Sequence, residues 1–329
     1  VGGHIWAPPR GRSILKNDLE LLARAGYPTA RALAEGMEGS VYLLSNETVG
    51  KVRHVTSFAG EGDEFGAALA AHTLPFAVPT LIGTTLLSDG RTMRIERLLP
   101  GRPLDDFYDP AEGSLDQRVI DAVGDVLDGL RELSFEVPAR AILDGEHYEA
   151  TAATWADVLV DLGRRRFARF GDQLEGRDTA VRRTVSDLLS FLASRRRRTS
   201  RMIHGDICGA NVLVDDACQV TAVIDWGFFS VLAEPELDAA IASAVLDMYG
   251  PRAADVDALL TDALVERFAF DRDVVLAYKG VYALMTSNVY SPGGTDGHFA
   301  WCSRMLARRD VRAAAEILAA RVASRVEVG

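Results

Sequence analysis

Two apolar stretches carry polar residues that burial alone would not select. In "IHGDICGANVLV" (Ile203–Val214) a His-Gly-Asp is followed by an Asn five residues after the Asp. In "TAVIDWGFF" Asp225 closes a second run, eleven residues after Val214. These types suit phosphoryl transfer, which needs positive charge on the phosphates, oxygen ligands for Mg²⁺ and a group that accepts or orients the acceptor proton. Asp206 fits the last role. Asn211 and Asp225 offer hard oxygen ligands for Mg²⁺. Lys51, the only lysine between Lys16 and Lys279, lies between Gly50 and Val52 and can reach nucleotide phosphates. Glu64 opens the next helical segment and is placed to pair with it; Glu61 is its rival, because helix register is uncertain by a few residues.

The elements that must position these groups follow from periodicity. "LKNDLELLARAGY" has helical spacing. Val41, Leu43 and Leu44 predict a strand, "SNET" a turn and "VGKVRHV" a returning strand. "GDEFGAALAAHTL" predicts a helix, and "FAVPTLIGTTLLSDGRTMRIERL" two more strands around "SDG". The Pro/Gly break "LPGRPLDD" places a lobe boundary there: residues 1–100 form a β-rich nucleotide-binding lobe, residues 101–329 a helical lobe with the catalytic loop and acceptor site. Helical periodicity covers roughly 115–135, 153–170 and 178–198. "NVLV" and "TAVID" then form a hairpin around "DDACQ", which returns Asp225 to the end where Asn211 starts, and 236–326 is again mostly helical.

Together these motifs resemble the aminoglycoside and macrolide phosphotransferases, antibiotic kinases of protein-kinase-like fold. The resemblance rests on the order Lys51, Glu64, H-G-D-x-x-x-x-N (His204–Asn211) and I-D-W-G (Ile224–Gly227). "EGMEGSVYLL" resembles their nucleotide-covering hairpin, "VPTLIG" the strand after their lysine-pairing helix, and "EPELDAA", with Asp238, the segment after their Mg²⁺ aspartate. "ATWADVLVDL" and "GHFAWCSRML" faintly resemble hygromycin B phosphotransferase. The likeness covers about residues 30–245. It implies an α+β, bilobal fold with a small antiparallel β lobe carrying one helix and a larger, mainly helical lobe. It further implies transfer of the γ-phosphoryl of ATP or GTP to an antibiotic hydroxyl, with Asp206 catalytic, Asn211 and Asp225 on Mg²⁺, and Lys51 with Glu64 on the nucleotide. Gly36, Gly39 and Ser40 would cover the phosphates, and Glu96 to Leu98 would present backbone groups to the base. His204 would brace the loop.

There are departures from the pattern. Only Gly36 and Gly39 remain of the Gly-rich loop, so Ser40 and backbone N–H groups carry more of the expected phosphate contact. Trp226 stands where protein kinases have Phe, and no A-P-E follows, which argues against a protein substrate. A choline, homoserine or sugar kinase, or an inactive nucleotide-binding scaffold, remain as alternatives.

Composition bounds the rest. The chain has 329 residues, 48% hydrophobic and 25% charged, as folded proteins do. Its net charge of −11 argues against a nucleic-acid partner. Residues 200–329 hold eleven basic and eighteen acidic side chains, which suits a cationic acceptor. Cys208, Cys218 and Cys302 form no disulfide pattern, pointing to a reducing, cytoplasmic setting. No run of about 18 apolar residues predicts a membrane span, and no sustained heptads predict an oligomer, so a monomer is expected. "RRRR" at 195–198 and "GRRRFARF" are expected to be solvated helix surface.

Overall fold

The computed structural model describes residues 13–35, 39–53, 68–109, 115–133, 140–141, 147–148, 154–196, 201–226 and 229–326. Helix α1 (Ser13–Arg24) precedes strands β1 (Arg31–Glu35), β2 (Gly39–Leu43), β3 (Thr48–Arg53), β4 (Leu81–Leu86) and β5 (Thr92–Arg97). These strands form one antiparallel sheet in the order β1-β2-β3-β5-β4. Alternation gives the sheet two faces. One of them buries Tyr42, Val52 and Met93 with Leu22 of α1. Tyr42 donates its hydroxyl to buried Asp18 on that helix (2.8 Å), so a polar bond fixes α1 against the sheet.

Beyond the sheet come β6 (Arg102–Pro103), a 3-10 turn (Leu104–Phe107), α2 (Gln117–Arg131) and the short pair β7 (Arg140–Ala141) and β8 (His147–Tyr148). They are followed by α3 (Trp155–Glu175), α4 (Val181–Ser194), β9 (Arg201–Ile203), β10 (Val212–Val214), β11 (Val220–Val223) and β12 (Val231–Ala233). Helices α5 (Pro235–Val245), α6 (Ala253–Phe268), α7 (Arg272–Thr286), α8 (Gly297–Ala307) and α9 (Arg309–Val326) complete the chain. The architecture is the expected small antiparallel lobe and larger helical lobe. Helices α5 and α7 are buried almost all round, as a central helix requires. Lys279 sits inside α7 with no exposure, paired with Asp257 and Thr261 of α6, and Arg308 joins Asp257. That lysine is a structural tie.

Strands β9 to β12 were foreseen only in part. β10 and β11 form the expected hairpin, with Val212 opposite Val223. β6 adds to the free edge of β10, and β12 pairs with β9; neither pairing was predicted. β1 was also missed: its residues are exposed over four of five positions and show no alternation. The arginine runs differ from expectation. Arg195 is half-buried in a two-pronged pair with Glu234, and Arg166 is buried over the Phe170 ring at 4.9 Å. Among the described residues, no helix is long and apolar enough to cross a membrane.

Candidate active site

The loop after β9 is built around a turn that only glycine fits. Gly205 has φ of +79°, and a Cβ there would lie 2.6 Å from the carbonyl carbon of Phe229. Asp238, in the first turn of α5, does not cap its own helix. Its two oxygens accept the N–H groups of His204 (2.9 Å) and Gly205 (2.8 Å). Ser230 donates to the carbonyl of His204 at 2.7 Å, so both main-chain groups of that residue are tied. Burial pushes the Asp238 carboxyl up to about 6, against the opposing pull of the two N–H bonds.

His204 is fully buried, and its tautomer follows from its partners. The N–H of Asp206 donates to Nδ1 at 3.1 Å, so Nε2 carries the proton and donates to the carbonyl of Ile224 at 2.9 Å. Burial lowers its pKa to about 4. A neutral ring therefore joins the loop to the end of β11. The Trp226 ring lies 4.5 Å away and its Nε1 donates to Val223, so Trp226 is fixed as packing.

The predicted residues converge along one path. Asn211 Nδ2 donates to the main-chain carbonyl of Asp206 (2.9 Å) and to its Oδ2 (3.1 Å). The Asn211 carbonyl accepts from Ile224 N–H at 2.9 Å, which brings Asp225 alongside. Asp225 has φ of +63° and a carboxylate that is 70% exposed, 4.0 Å from Lys51 Nζ. An amide oxygen and one open carboxylate fit Mg²⁺, which is usually held by one or two carboxylates plus substrate phosphates. No group of three or more His, Cys, Asp or Glu metal ligands occurs among the described residues.

Elsewhere the placement is mixed. Gly36, Glu64 and its rival Glu61 lie outside the described residues. Gly39 sits where a Cβ would come within 2.4 Å of the Val52 carbonyl, so the strand pair needs glycine there. Ser40 pairs with Val52 and is buried on the Tyr42 face, opposite the face that carries Lys51, so its side chain is not on the Lys51 side of the sheet. The Leu98 N–H is already given to Glu47 at 2.8 Å. Glu96 brings its side chain into the site: its carboxylate is buried 3.3 Å from Lys51 Nζ.

Residues beyond the motifs pack against the loop that carries Asp206, Asp105 at Gly209 and Phe229 at Gly205. Asp105, on the 3-10 turn, has its carboxylate against Gly209, where a Cβ would meet Oδ1 at 1.8 Å. Packing there, then Asp106 and Asp247, push Asp105 up to about 6 although the residue is otherwise exposed. Tyr108 donates to Asp247 at 2.8 Å. On the other side Phe229, Tyr282, Trp301 and His298 run as an aromatic chain with centroids 5.9 to 6.2 Å apart. The Tyr282 phenol is driven well up by burial and then by the charge of Asp206. Tyr249 and Tyr290 stand half-exposed at the end of this chain; the Tyr249 hydroxyl is 3.0 Å from His298 Nδ1 and the Tyr290 ring is 5.1 Å from the imidazole. No sequence motif marks these tyrosines. The stretch "SPGGTDGHF", which holds Tyr290's neighbours and His298, was the only hint.

Residues 21–278 match the family model described as the phosphotransferase enzyme family. The chain belongs to this family. The family's description names phosphotransfer as the reaction class. Solved structures of similar fold include a thermostable mutant of aminoglycoside phosphotransferase APH(4)-Ia in ternary complex with ADP and hygromycin B, at 16% identity and TM-score 0.61, covering 93% of this chain and 98% of that one. The GDP complex of aminoglycoside 2'-phosphotransferase-IIIa matches at 16% identity and TM-score 0.62, covering 89% and 98%. Aminoglycoside phosphotransferase APH(3'')-Id from Streptomyces rimosus matches at 19% identity and TM-score 0.58, covering 82% and 98%. A comparison with curated protein sequences finds no match.

Proposed function

We propose that this phosphotransferase moves the γ-phosphoryl group of ATP or GTP onto a hydroxyl of a small, antibiotic-like molecule. The observation that carries the reading is the continuous path Lys51–Asp225–Asn211–Asp206 at the junction of a β-rich lobe, ending near residue 100, and a helical one. Lys51 grips the phosphates. Asn211 and Asp225 hold Mg²⁺, which supplies charge neutralisation on the phosphate oxygens when bound. Asp206 takes the acceptor proton as the new O–P bond forms; the bond to the β-phosphate oxygen breaks and the nucleoside diphosphate leaves.

The acceptor lies between two unlike walls. Asp105, Asp106 and Asp247 supply negative charge for an ammonium group. Tyr249 and Tyr290 supply ring faces. The structures named above, which hold ADP with hygromycin B in one case and GDP in another, support a nucleotide donor and an aminoglycoside-like acceptor.

The test is nucleotide consumption with Mg²⁺ and ATP or GTP across aminoglycosides, macrolides, peptide and nucleoside antibiotics, choline and homoserine, with Asp206→Ala as the blank. Turnover confined to one antibiotic class, lost in Asp206→Ala while nucleotide binding survives, is expected. Turnover on choline or homoserine alone moves the protein to primary metabolism, and near-normal turnover of the variant removes Asp206 from its role.

A further inference from the structure

The lysine of the proposed phosphate site is held by its own sheet. In the β3·β5 ladder Lys51 lies opposite Arg94, and Val49 opposite Glu96. Residues paired across strands share a face, and diagonal neighbours are within reach of long side chains. Lys51, Arg94 and Glu96 therefore form one cluster. Glu96 Oε2 is 3.3 Å from Lys51 Nζ, and Oε1 is 3.5 Å from Arg94 Nε. The Glu96 carboxylate is 7% exposed, and a buried carboxylate keeps its charge only when it is paired. Lys51 is a quarter exposed, so its ammonium is open on one side.

We propose that Glu96 is the positioning residue for Lys51, aiming its ammonium at the nucleotide phosphates; the inference rests on the reading of Lys51 as the phosphate-binding cation. Glu96 touches no reacting atom. Its effect is to restrict a flexible four-carbon stem whose charge is useful in one place only. The sign of the effect follows from the charges. Lysine and arginine outweigh one carboxylate, so the cluster stays net positive towards phosphate while Arg94 screens the second oxygen of Glu96.

The experiment compares wild type, Glu96→Gln, Glu96→Asp, Lys51→Ala and the Glu96→Gln/Lys51→Ala double variant. Equilibrium affinities are measured for Mg²⁺ with AMP-PNP or GMP-PNP, whichever the wild type binds more tightly, and for the matching nucleoside, which lacks phosphates. Glu96→Gln is expected to weaken nucleotide binding about tenfold, within the coupling range of contacting residues, and to leave nucleoside binding within about twofold. Glu96→Asp should lie between it and wild type, and the double variant should bind no worse than Lys51→Ala. The inference is overturned if Glu96→Gln binds nucleotide like wild type while Lys51→Ala does not, if the two losses add, or if nucleotide and nucleoside affinity fall together. Normal nucleotide binding by Lys51→Ala would instead overturn the reading of Lys51 on which the inference stands.

Discussion

Asn211 donates from one amide nitrogen to two oxygens of Asp206, the main-chain carbonyl at 2.9 Å and the carboxylate at 3.1 Å. Both partners are acceptors only, so the amide cannot be reversed and its own oxygen faces away from Asp206. One residue thus fixes the proposed base and presents a ligand to the cation.

Asn211→Asp turns that contact into a repulsion between carboxylates. Turnover is expected to fall about 10- to 100-fold, the usual effect of losing a ligand's support. Steady-state rates against Mg²⁺ concentration check this. A variant that keeps the wild-type rate at every concentration would remove Asn211 from both roles.

Asp238 gives a pH signature. Its carboxyl titrates near 6 in the folded chain and at about 3.8 unfolded, so the native state holds the extra proton in between. Its contribution to stability is present below the unfolded value and declines as pH rises through about 6. Asp238→Asn cannot titrate. The stability advantage of wild type over this variant should therefore shrink by about 2–3 kcal/mol from about pH 4 to about pH 7. Denaturant titrations of both proteins across that range measure it; an advantage that grows with pH would contradict the assignment.

Gly205→Ala forces a side chain into the backbone of Phe229 at a positive φ. Strain and overpacking together should cost about 3 kcal/mol, lowering Tm by about 4 °C. A thermal melt within a degree of wild type would mean the turn relaxes without cost.

The motifs were legible because phosphoryl transfer asks for a fixed set of groups in a fixed order, and strands around "SNET" and "SDG" carry local turn signals. The observed β2 to β5 and the β10–β11 hairpin follow those signals. What could not be read depends on register between distant segments. Glu96 meets Lys51 only because β5 pairs with β3 across more than forty residues of chain. Arg195 looked like helix surface because its partner, Glu234, lies far along the sequence. The aromatic wall draws on α7, α8, the loop between them, the α5–α6 loop that holds Tyr249 and Phe229 ahead of β12, so no single segment shows it.

That wall yields its own prediction. Tyr249→Ala is expected to raise the acceptor KM about three- to tenfold, the worth of an aromatic contact, with the nucleotide KM unchanged. Equal shifts in both would place Tyr249 outside the acceptor site.

The two lobes are stitched through one strand of the helical lobe. Ala77 exchanges hydrogen bonds with the β11 strand, donating to Thr221 at 2.9 Å and accepting from Val223 at 3.0 Å. Thr221 also donates its hydroxyl to Pro100 at 2.7 Å. Both ties converge on Thr221 and the strand that ends beside Asp225, so the strand that joins the two lobes is also the strand that delivers the carboxylate facing Lys51.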